Sequence, residues 1–387
     1  MPLGAYFVAR KLLEIITRKA ATPNERKALV AGIAALLHDV GHGPFSHVFE
    51  GVQRDLQERK AHELWIKEMI LGDTQIHEEL DRYDHTLAPE VALLFSQKDP
   101  SDIYDAVVSS QFDADRLDYL QRDRYMSGTR DGGFDFSWLL DCLEIGRINI
   151  GQAEDYVEVY GLYLNHKGLS AAEAYVLARY HLYSQVYLHK TTRSAERMLA
   201  ALLKMVARLC RDGRTDDSGL TKNNLLVKFL YATKPDLDSY LALDDTVVWS
   251  SINEMRGATA SFVSGMATRI LNRSLFKCLD VGALSRNYGS DSVPHFKRRL
   301  QEYEKLEHVE FLRDDLWLTA YGYHQYEDSG AFQKVLIGRP DHSGKSDDLK
   351  ERSKIVASIE RQRIFRIYAQ DHAQLAKAEK LWHEVVQ

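Results

Sequence analysis

Cysteine and proline are both scarce in this chain of 387 residues, which contains 3 Cys, 8 Pro and 23 Gly. Cys142, Cys210 and Cys278 are far apart and odd in number, and they form no CxxC pair. The sequence therefore supports neither a disulfide framework nor a zinc ribbon. The low proline and glycine content also excludes a collagen-like or broadly disordered polypeptide, so we expect a globular protein.

Long apolar runs and an excess of positive charge are also missing. Residues 1–20 are apolar in patches, but Arg10 and Lys11 interrupt them and no small-residue cleavage site follows. Lys and Arg number 50 against 56 Asp and Glu, and the net charge of −6 provides no general attraction to nucleic acid or anionic lipid. We therefore expect a cytoplasmic protein that does not insert into a membrane.

Helical periodicity dominates the first two thirds of the chain. Apolar residues at helical spacing predict a helix over residues 3–16. A capping box at Thr22–Glu25 predicts the start of a second helix, which Gly41 ends. Asp113 is placed to cap a third helix that runs toward Met126.

The periodicity changes twice further along the chain. Residues 148–164 contain a period-two stretch, which predicts a hairpin. A capping box at Ser170–Glu173 opens a helical stretch to about Cys210, which is long enough that we expect a kink or a break. After residue 271 the patterns predict strands at 275–279, 332–337 and 363–368, helices at 293–306 and 372–386, and a mobile loop at 341–352.

These patterns together predict a mainly α protein in two parts. A helical body would span residues 1–270, and a smaller α+β region would span residues 271–387. A cluster of basic residues around the start of the second part could bind an effector nucleotide or nucleic acid, although a solvated helix face is the favoured interpretation. The cluster consists of Arg269, Arg273, Lys277, Arg286, Lys297, Arg298 and Arg299.

Three imidazoles and a carboxylate lie within ten residues in the string HDVGHGPFSH, which begins at His38. His38 and Asp39 are adjacent at the predicted end of a helix, where both can approach one divalent ion. A further carboxylate must come from elsewhere, and Asp115 is the candidate because it lies on the polar face of its predicted helix. A buried core has no use for three clustered imidazoles, so we predict a metal site at these residues.

These motifs resemble those of the HD-domain phosphohydrolases, specifically the deoxynucleoside triphosphate (dNTP) triphosphohydrolases. His38-Asp39 matches the HD doublet of that family, HGPFSH matches the segment after it, and DADRLDYLQRD matches the segment with the last metal carboxylate. The resemblance covers most of residues 3–200. It implies an HD-domain helical core, a divalent ion (Mg, Mn, Fe, Ni or Zn) held with Asp115, and hydrolysis of dNTPs to deoxynucleoside and inorganic triphosphate.

The resemblance implies roles for further residues. His42, His47 and His62 correspond to active-site histidines, with His47 as the proton donor to the leaving oxygen. Glu50 stands where a mammalian member of the family has Asp, and it would orient His47. The residues that match those holding the triphosphate and the sugar are Arg116, Tyr119, Asp123, Arg179 and Tyr187, while Lys190 would help to neutralise the triphosphate and also matches a residue near an allosteric nucleotide.

The resemblance also bears on completeness and assembly. The family's first metal-ligand histidine lies in a segment that aligns with Met1-Pro2, so we expect three of the four protein ligands and impaired hydrolysis. Either truncation of a longer protein or natural loss of the histidine would account for this, and truncation is the expectation. The expected partners are a dNTP substrate, an allosteric nucleotide and further copies of the chain. The likeness and the 20 Tyr predict a homodimer or homotetramer.

Two alternatives remain open from the sequence. The HD motif is compatible with another phosphohydrolase that acts on nucleoside monophosphates, guanosine tetraphosphate or cyclic dinucleotides. The missing histidine is compatible with a catalytically weak nucleotide-binding protein. Release of inorganic triphosphate separates dNTP hydrolysis from the first alternative, and metal content with turnover separates it from the second.

Overall fold

A computed structural model gives the fold of the protein, and it divides into two compact units. One unit comprises Met1–Gly41, Glu63–Val186 and Leu318–Gln362, and the other comprises His42–His62, Tyr187–Trp317 and Arg363–Gln387. The sequence-based division at residues 270 and 271 stays a prediction. The structure describes residues 2–56, 60–96, 100–130, 132–150, 157–232, 235–288, 292–319, 322–324, 334–340 and 345–387.

Helices make up most of the described residues, as predicted for a mainly α protein. In chain order the helices are α1 (Pro2–Lys19), α2 (Glu25–Leu37), α3 (His47–Asp55), α4 (His62–Leu71), α5 (Gln75–Tyr83), α6 (Leu87–Leu94), α7 (Asp105–Val108), α8 (Ala114–Ser127), α9 (Phe136–Asp141), α10 (Leu169–Leu182), α11 (Lys190–Arg211), α12 (Leu225–Tyr231), α13 (Leu237–Leu241), α14 (Asp245–Glu254), α15 (Ser261–Leu271), α16 (Val281–Leu284), α17 (Ser292–Glu307), α18 (Leu349–Arg352), α19 (Lys354–Ala357) and α20 (His372–Val386). The strands are β1 (Leu143–Ile150), β2 (Val157–Leu164), β3 (Lys277–Asp280), β4 (Leu312–Thr319), β5 (Gly322–His324), β6 (Leu336–Gly338), β7 (Ser346–Asp348) and β8 (Gln362–Ala369).

The start of α2 differs from the sequence-based prediction. Asn24, not Thr22, is the capping residue, because its side-chain oxygen accepts a hydrogen bond from the Lys27 N–H at 3.0 Å. The backbone N–H of Asn24 donates to the Tyr104 hydroxyl at 2.7 Å. The predicted capping box is therefore wrong by two residues, and the helix begins at Glu25.

Helix α8 begins and ends as predicted. The Asp113 carboxylate accepts a hydrogen bond from the Arg116 N–H at 2.7 Å, and Gly128 ends the helix with a φ of 71°. Leu117 and Leu120 are buried, which leaves the polar face of the helix for the site residues. Helix α1 packs against α8.

A four-stranded sheet of order β1, β2, β6, β7 lies in the first unit. Strands β1 and β2 pair antiparallel, which confirms the predicted hairpin, although Tyr156 lies outside the described residues. Strand β6 covers Leu336–Gly338, so the strand predicted at 332–337 is shifted and shorter within the described residues. Strand β7 and helix α18 lie within 345–352, so the predicted mobile loop is wrong there, and residues 341–344 lie outside the described residues.

The long helix predicted after Ser170 is interrupted. It begins at Leu169 after a short turn capped by Asn165, so the predicted capping box at Ser170 is wrong. It gives way to a wide π-helical turn at Tyr183–Tyr187 before α11, which confirms the expected break.

The second unit contains its own aromatic core. Trp382, Phe296 and Phe365 are buried there and pack with residues of β3, α17 and α20. Strand β3 pairs antiparallel with β8, and β4 lies next to β8. The strand at 363–368 and the helices at 293–306 and 372–386 are confirmed, and the strand at 275–279 is confirmed with its start moved to Lys277.

Sequence reasoning missed β4 because two adjacent acidic residues interrupt its apolar pattern. Asp314 is nevertheless buried, since Arg193 donates to both of its carboxylate oxygens at 2.7 Å. In the part of the chain that the structure describes, no helix combines the length and the hydropathy that a membrane crossing requires. The cytoplasmic location stays a prediction.

Candidate metal centre and histidine cluster

Three predicted metal ligands meet in the first unit. His38 follows the last residue of α2, Asp39 is its neighbour, and Asp115 lies in the first turn of α8. His38 Nε2 is 3.2 Å from Asp39 Oδ1 and 3.2 Å from Asp115 Oδ1. One ligand atom of each residue lies within 4.8 Å of the others, a spacing that could hold one metal ion.

The His38 ring is oriented by its other nitrogen. His38 Nδ1 lies 2.8 Å from the Ala35 carbonyl oxygen, which can only accept, so Nδ1 carries the hydrogen. In the neutral ring the lone pair is then on Nε2, which is buried and has no well-directed hydrogen bond among the described residues. A backbone carbonyl that fixes the tautomer in this way is typical of a metal-ligating histidine.

The electrostatic environment of His38 calls for a cation. Burial alone would lower the pKa of His38, but its interactions with Asp115 and Asp39 outweigh burial and raise it to about 10. The two carboxylates thus favour a positive charge at Nε2, and a divalent ion can supply that charge in place of a proton. One imidazole and two carboxylates suit Mg, Mn, Fe, Ni or Zn, and they do not choose among them.

A second cluster, formed by His42, His47, Glu50 and His62, lies in the other unit. Glu50 Oε1 is 2.9 Å from His42 Nδ1 and 3.0 Å from His62 Nδ1, while Glu50 Oε2 is 3.7 Å from His47 Nδ1. The rings of His42 and His62 stack at a centroid distance of 4.2 Å, and His47 meets His42 edge to face at 5.4 Å. We call these four residues the histidine cluster.

The Glu50 carboxylate lies next to three imidazoles in the histidine cluster. Burial would raise the pKa of Glu50, but the close contacts with His42 and His62 and the nearby His47 ring lower it far below its ordinary value. The Glu50 interaction in turn raises the pKa of His47, whose side chain is 78% exposed. Glu50 is therefore ionised, and it lies nearer to His42 and His62 than to His47, the residue it was expected to orient.

Arg116, Tyr119 and Arg179 belong to one network in the first unit. Arg116 donates to the Asp113 carboxylate and to the Ser110 carbonyl oxygen. The negative charge of Asp113 raises the pKa of Arg116 despite burial, and burial together with Tyr183 raises the pKa of Tyr119.

Arg179 is buried at 5% exposure, and its guanidinium is only partly bound. Arg179 Nη1 donates to Gln111 Oε1 at 2.6 Å, while Nε is buried without a hydrogen-bond partner among the described residues. The Tyr175 hydroxyl donates to the Gln111 carbonyl oxygen at 2.5 Å. Sequence reasoning missed Gln111 and Tyr175, because Tyr175 lies in an apolar helical stripe and Gln111 is outside any motif.

The other predicted substrate residues have different settings. Asp123 accepts a hydrogen bond from Arg122 Nη1 at 2.6 Å on α8 in the first unit. Tyr187 ends the π-helical turn, and Lys190 is the exposed first residue of α11, both in the second unit.

Part of the basic cluster near the start of the second region is paired with acids. Lys297 pairs with Asp315, and Arg299 lies 3.4 Å from Glu302 and 3.5 Å from Glu384. These ion pairs favour a solvated, charge-balanced surface over a nucleic-acid site.

Comparison with protein families places the metal residues in a known domain. The HD domain model matches residues 2–120, and the HD associated region model matches residues 156–226. Residues 2–120 of the chain therefore carry an HD domain. His38, Asp39 and Asp115, the candidate metal ligands, all lie within the segment that the HD domain model matches.

Curated relatives of this HD-domain chain include one uncharacterised bacterial protein and one named enzyme homologue. Protein YwfO of Bacillus subtilis is 30% identical over 280 residues, which are 72% of this chain and 59% of that protein. The deoxynucleoside triphosphate triphosphohydrolase SAMHD1 homolog of Dictyostelium discoideum is 32% identical over 214 residues, which are 51% of this chain and 38% of that protein. The chain thus spans less than two thirds of the length of each of these relatives.

Solved structures share the fold. A phosphohydrolase from Bacteroides thetaiotaomicron superposes with a TM-score of 0.70 at 23% identity, covering 96% of this chain and 86% of that one. A hypothetical protein from Aquifex aeolicus gives a TM-score of 0.67 at 23% identity, covering 98% of this chain and 85% of that one. At this identity the likeness establishes the fold alone.

Proposed function

We propose that this HD-domain chain is a metal-dependent phosphohydrolase that converts dNTPs to deoxynucleoside and inorganic triphosphate. The observation that carries the proposal is the orientation of His38, whose Nε2 faces the carboxylates of Asp39 and Asp115. The Dictyostelium relative bears the name of a dNTP triphosphohydrolase, and this supports the choice of substrate class.

The metal residues and the arginines would bind the phosphates. A divalent ion held by His38, Asp39 and Asp115 would supply Lewis-acid activation of a phosphoryl oxygen and of a water molecule. Arg116 and Arg179 offer two guanidinium groups in one network, and such groups pair well with phosphate oxygens. The unpartnered Nε of Arg179 leaves it able to donate one more hydrogen bond.

The histidine cluster would handle the proton of the leaving group. Water attacks the α-phosphorus, the bond from that phosphorus to the 5′ oxygen breaks, and the triphosphate leaves as one piece. The 5′ oxygen then requires a proton, which His47 donates, and Glu50 favours the protonated imidazole from which it comes. His42 and His62 lie against the same carboxylate and would fix its position.

Product analysis tests the reaction. The purified chain is incubated with each dNTP and Mn²⁺, and the products are separated by anion-exchange chromatography. We expect deoxynucleoside and inorganic triphosphate in equal amounts, and Asp115→Asn should abolish both. Asp118→Asn is the matched control, since Asp118 lies one turn further along α8 and pairs with Arg122 at 3.0 Å.

The other phosphohydrolase activities are outcomes of the same assay. Turnover of a nucleoside monophosphate, guanosine tetraphosphate or a cyclic dinucleotide, without release of inorganic triphosphate from dNTPs, would replace the proposed substrate. Binding of dNTP without any turnover in the presence of saturating metal would instead identify a nucleotide-binding protein.

A further inference from the structure

Helices α3 and α11 lie side by side in the second unit and run in the same direction. Asp55 at the end of α3 forms an ion pair with Lys204 of α11. The carbonyl oxygen of Leu56, the next residue, accepts a hydrogen bond from Arg211 Nη2 at 3.3 Å. Leu56, which follows Asp55, thus contacts Arg211, which follows Lys204 in the chain. This is the order expected when two neighbouring helices run in the same direction.

The register of the two helices sets a carboxylate opposite His47. His47 precedes Asp55 by eight residues, and Glu196 precedes Lys204 by eight residues. Eight residues of helix span about 12 Å, so equal steps back along both helices bring His47 and Glu196 to the same level. Positions eight apart also lie on one ridge of a helix, so both residues stay near the contact between the helices.

The charges around His47 agree with this register. Glu50 raises the pKa of His47 most strongly and Glu196 adds a smaller contribution in the same direction, whereas the neighbouring His62 lowers it. His42 meets the His47 ring edge to face. Glu196 is thus a carboxylate acting on His47 from a helix that carries no member of the histidine cluster.

Glu196 is itself held in place. Its Oε2 lies 2.5 Å from Arg193 Nη1, and Arg193 is fixed by two hydrogen bonds of 2.7 Å to the buried Asp314. Burial raises the pKa of Glu196, although Arg193 and Arg197 oppose the shift. The carboxylate is therefore rigidly anchored at the level of His47, where a surface glutamate would sample many positions.

We propose that Glu196 is a positioning residue that works with Glu50 to hold His47 in its protonated, donor-competent state. The inference rests on the proposed function, in which His47 is the proton donor. Glu50 acts from the same helix as His47, and Glu196 acts from α11. A purely structural Glu196 would serve only to complete the ion-pair network of Arg193 and Asp314.

The test measures the ionisation of His47 directly. The histidine-labelled chain of 387 residues is titrated by NMR, and the His47 resonance is assigned by its absence in His47→Gln. In Glu196→Gln we expect the midpoint of His47 to fall, because a neighbouring negative charge is removed, and Glu196→Asp should restore most of it. Asp55→Asn, which removes a carboxylate about 12 Å further along the same helix pair, should leave the midpoint unchanged.

Kinetics provide the second measurement. The alkaline limb of the pH profile for kcat should move to lower pH in Glu196→Gln and stay in place in Asp55→Asn. An unchanged His47 midpoint in a folded Glu196→Gln protein would overturn the inference. A shifted midpoint in a protein that hydrolyses no dNTP would support the coupling and refute the proposed function, so the two failures are distinguishable.

Discussion

At the scale of single residues, the candidate metal centre depends on one ring orientation. The Ala35 carbonyl oxygen fixes His38 so that Nε2 faces two carboxylates, one adjacent in sequence and one from α8. The adjacency of His38 and Asp39 can be read from the sequence, and so can Asp115 as the third member. The tautomer of His38 cannot be read from the sequence, because it is set by a backbone carbonyl group, and every residue has one.

Removal of Asp115 tests the metal centre. Asp115→Asn takes away one of the two carboxylates facing His38. Loss of a hydrogen-bond partner of a metal ligand typically lowers metal affinity by roughly 10- to 100-fold, and we expect loss of this candidate ligand itself to lower the Mn²⁺ affinity by more than that. Calorimetric titration of the metal-free protein measures the change. Asp118→Asn should bind Mn²⁺ as the wild type does, and equal affinity in both variants would remove Asp115 from the site.

Glu50 makes stability depend on pH in a defined direction. Its lowered pKa adds stability that is present above about pH 4.3 and is lost as the pH falls toward the folded value. The raised pKa of His47 adds stability that is present below about pH 6.5 and is lost as the pH rises through the folded value. Both contributions are present between these limits.

The corresponding variant is Glu50→Gln. We expect it to lower the free energy of unfolding by about 1–3 kcal/mol near pH 5.5, with a smaller difference from wild type at pH 3.5 and at pH 8.5. Thermal unfolding at the three pH values measures this. Glu302→Gln, at a side chain that is 60% exposed, is the control and should show no such dependence; a difference independent of pH would contradict the ionic account of the cluster.

At the scale of elements, sequence reasoning succeeded where the signals at the ends of a helix were local and strong. Asp113 and Gly128 bracket α8 with a side-chain cap and a left-handed residue, and both signals are local and strong. At α2 two capping residues competed, and the sequence does not say that Asn24 also binds the Tyr104 hydroxyl. Strand β4 was missed because its buried Asp314 is satisfied by Arg193, more than a hundred residues earlier in the chain.

The competing caps of α2 can be separated by mutation. Asn24→Ala removes the acceptor for the Lys27 N–H and should destabilise the protein by about 1 kcal/mol. Thr22→Ala is the matched control, since Thr22 is exposed and lies two residues before the cap, and it should have almost no effect. Denaturant unfolding at pH 7 measures both. The reverse ranking would reinstate Thr22 as the cap and place the start of the helix wrongly here.

At the scale of the whole molecule, the net charge and the exposed apolar side chains both bear on what the protein can bind. The net charge of −6 gives no overall attraction to a polyanion, so phosphate binding must rest on local groups such as Arg116 and Arg179. Large apolar and aromatic side chains also remain exposed across the described surface, including Leu3, Phe7, Tyr83, Tyr125 and Trp138. The net charge can be read from the composition, whereas the exposure of particular side chains is visible only in the fold.

Self-association is the last prediction. Leu3 and Phe7 are one helical turn apart on α1 and are 77% and 58% exposed, an arrangement that favours contact with another apolar surface. We expect a homodimer or homotetramer, and light scattering at micromolar concentration should return at least twice the chain mass of 44.3 kDa. Phe7→Ser tests whether α1 takes part, with Tyr83→Ser as a control at a similarly exposed aromatic residue on α5. A wild-type mass of one chain at that concentration would refute the prediction, and an unchanged oligomer in Phe7→Ser would move the interface away from α1.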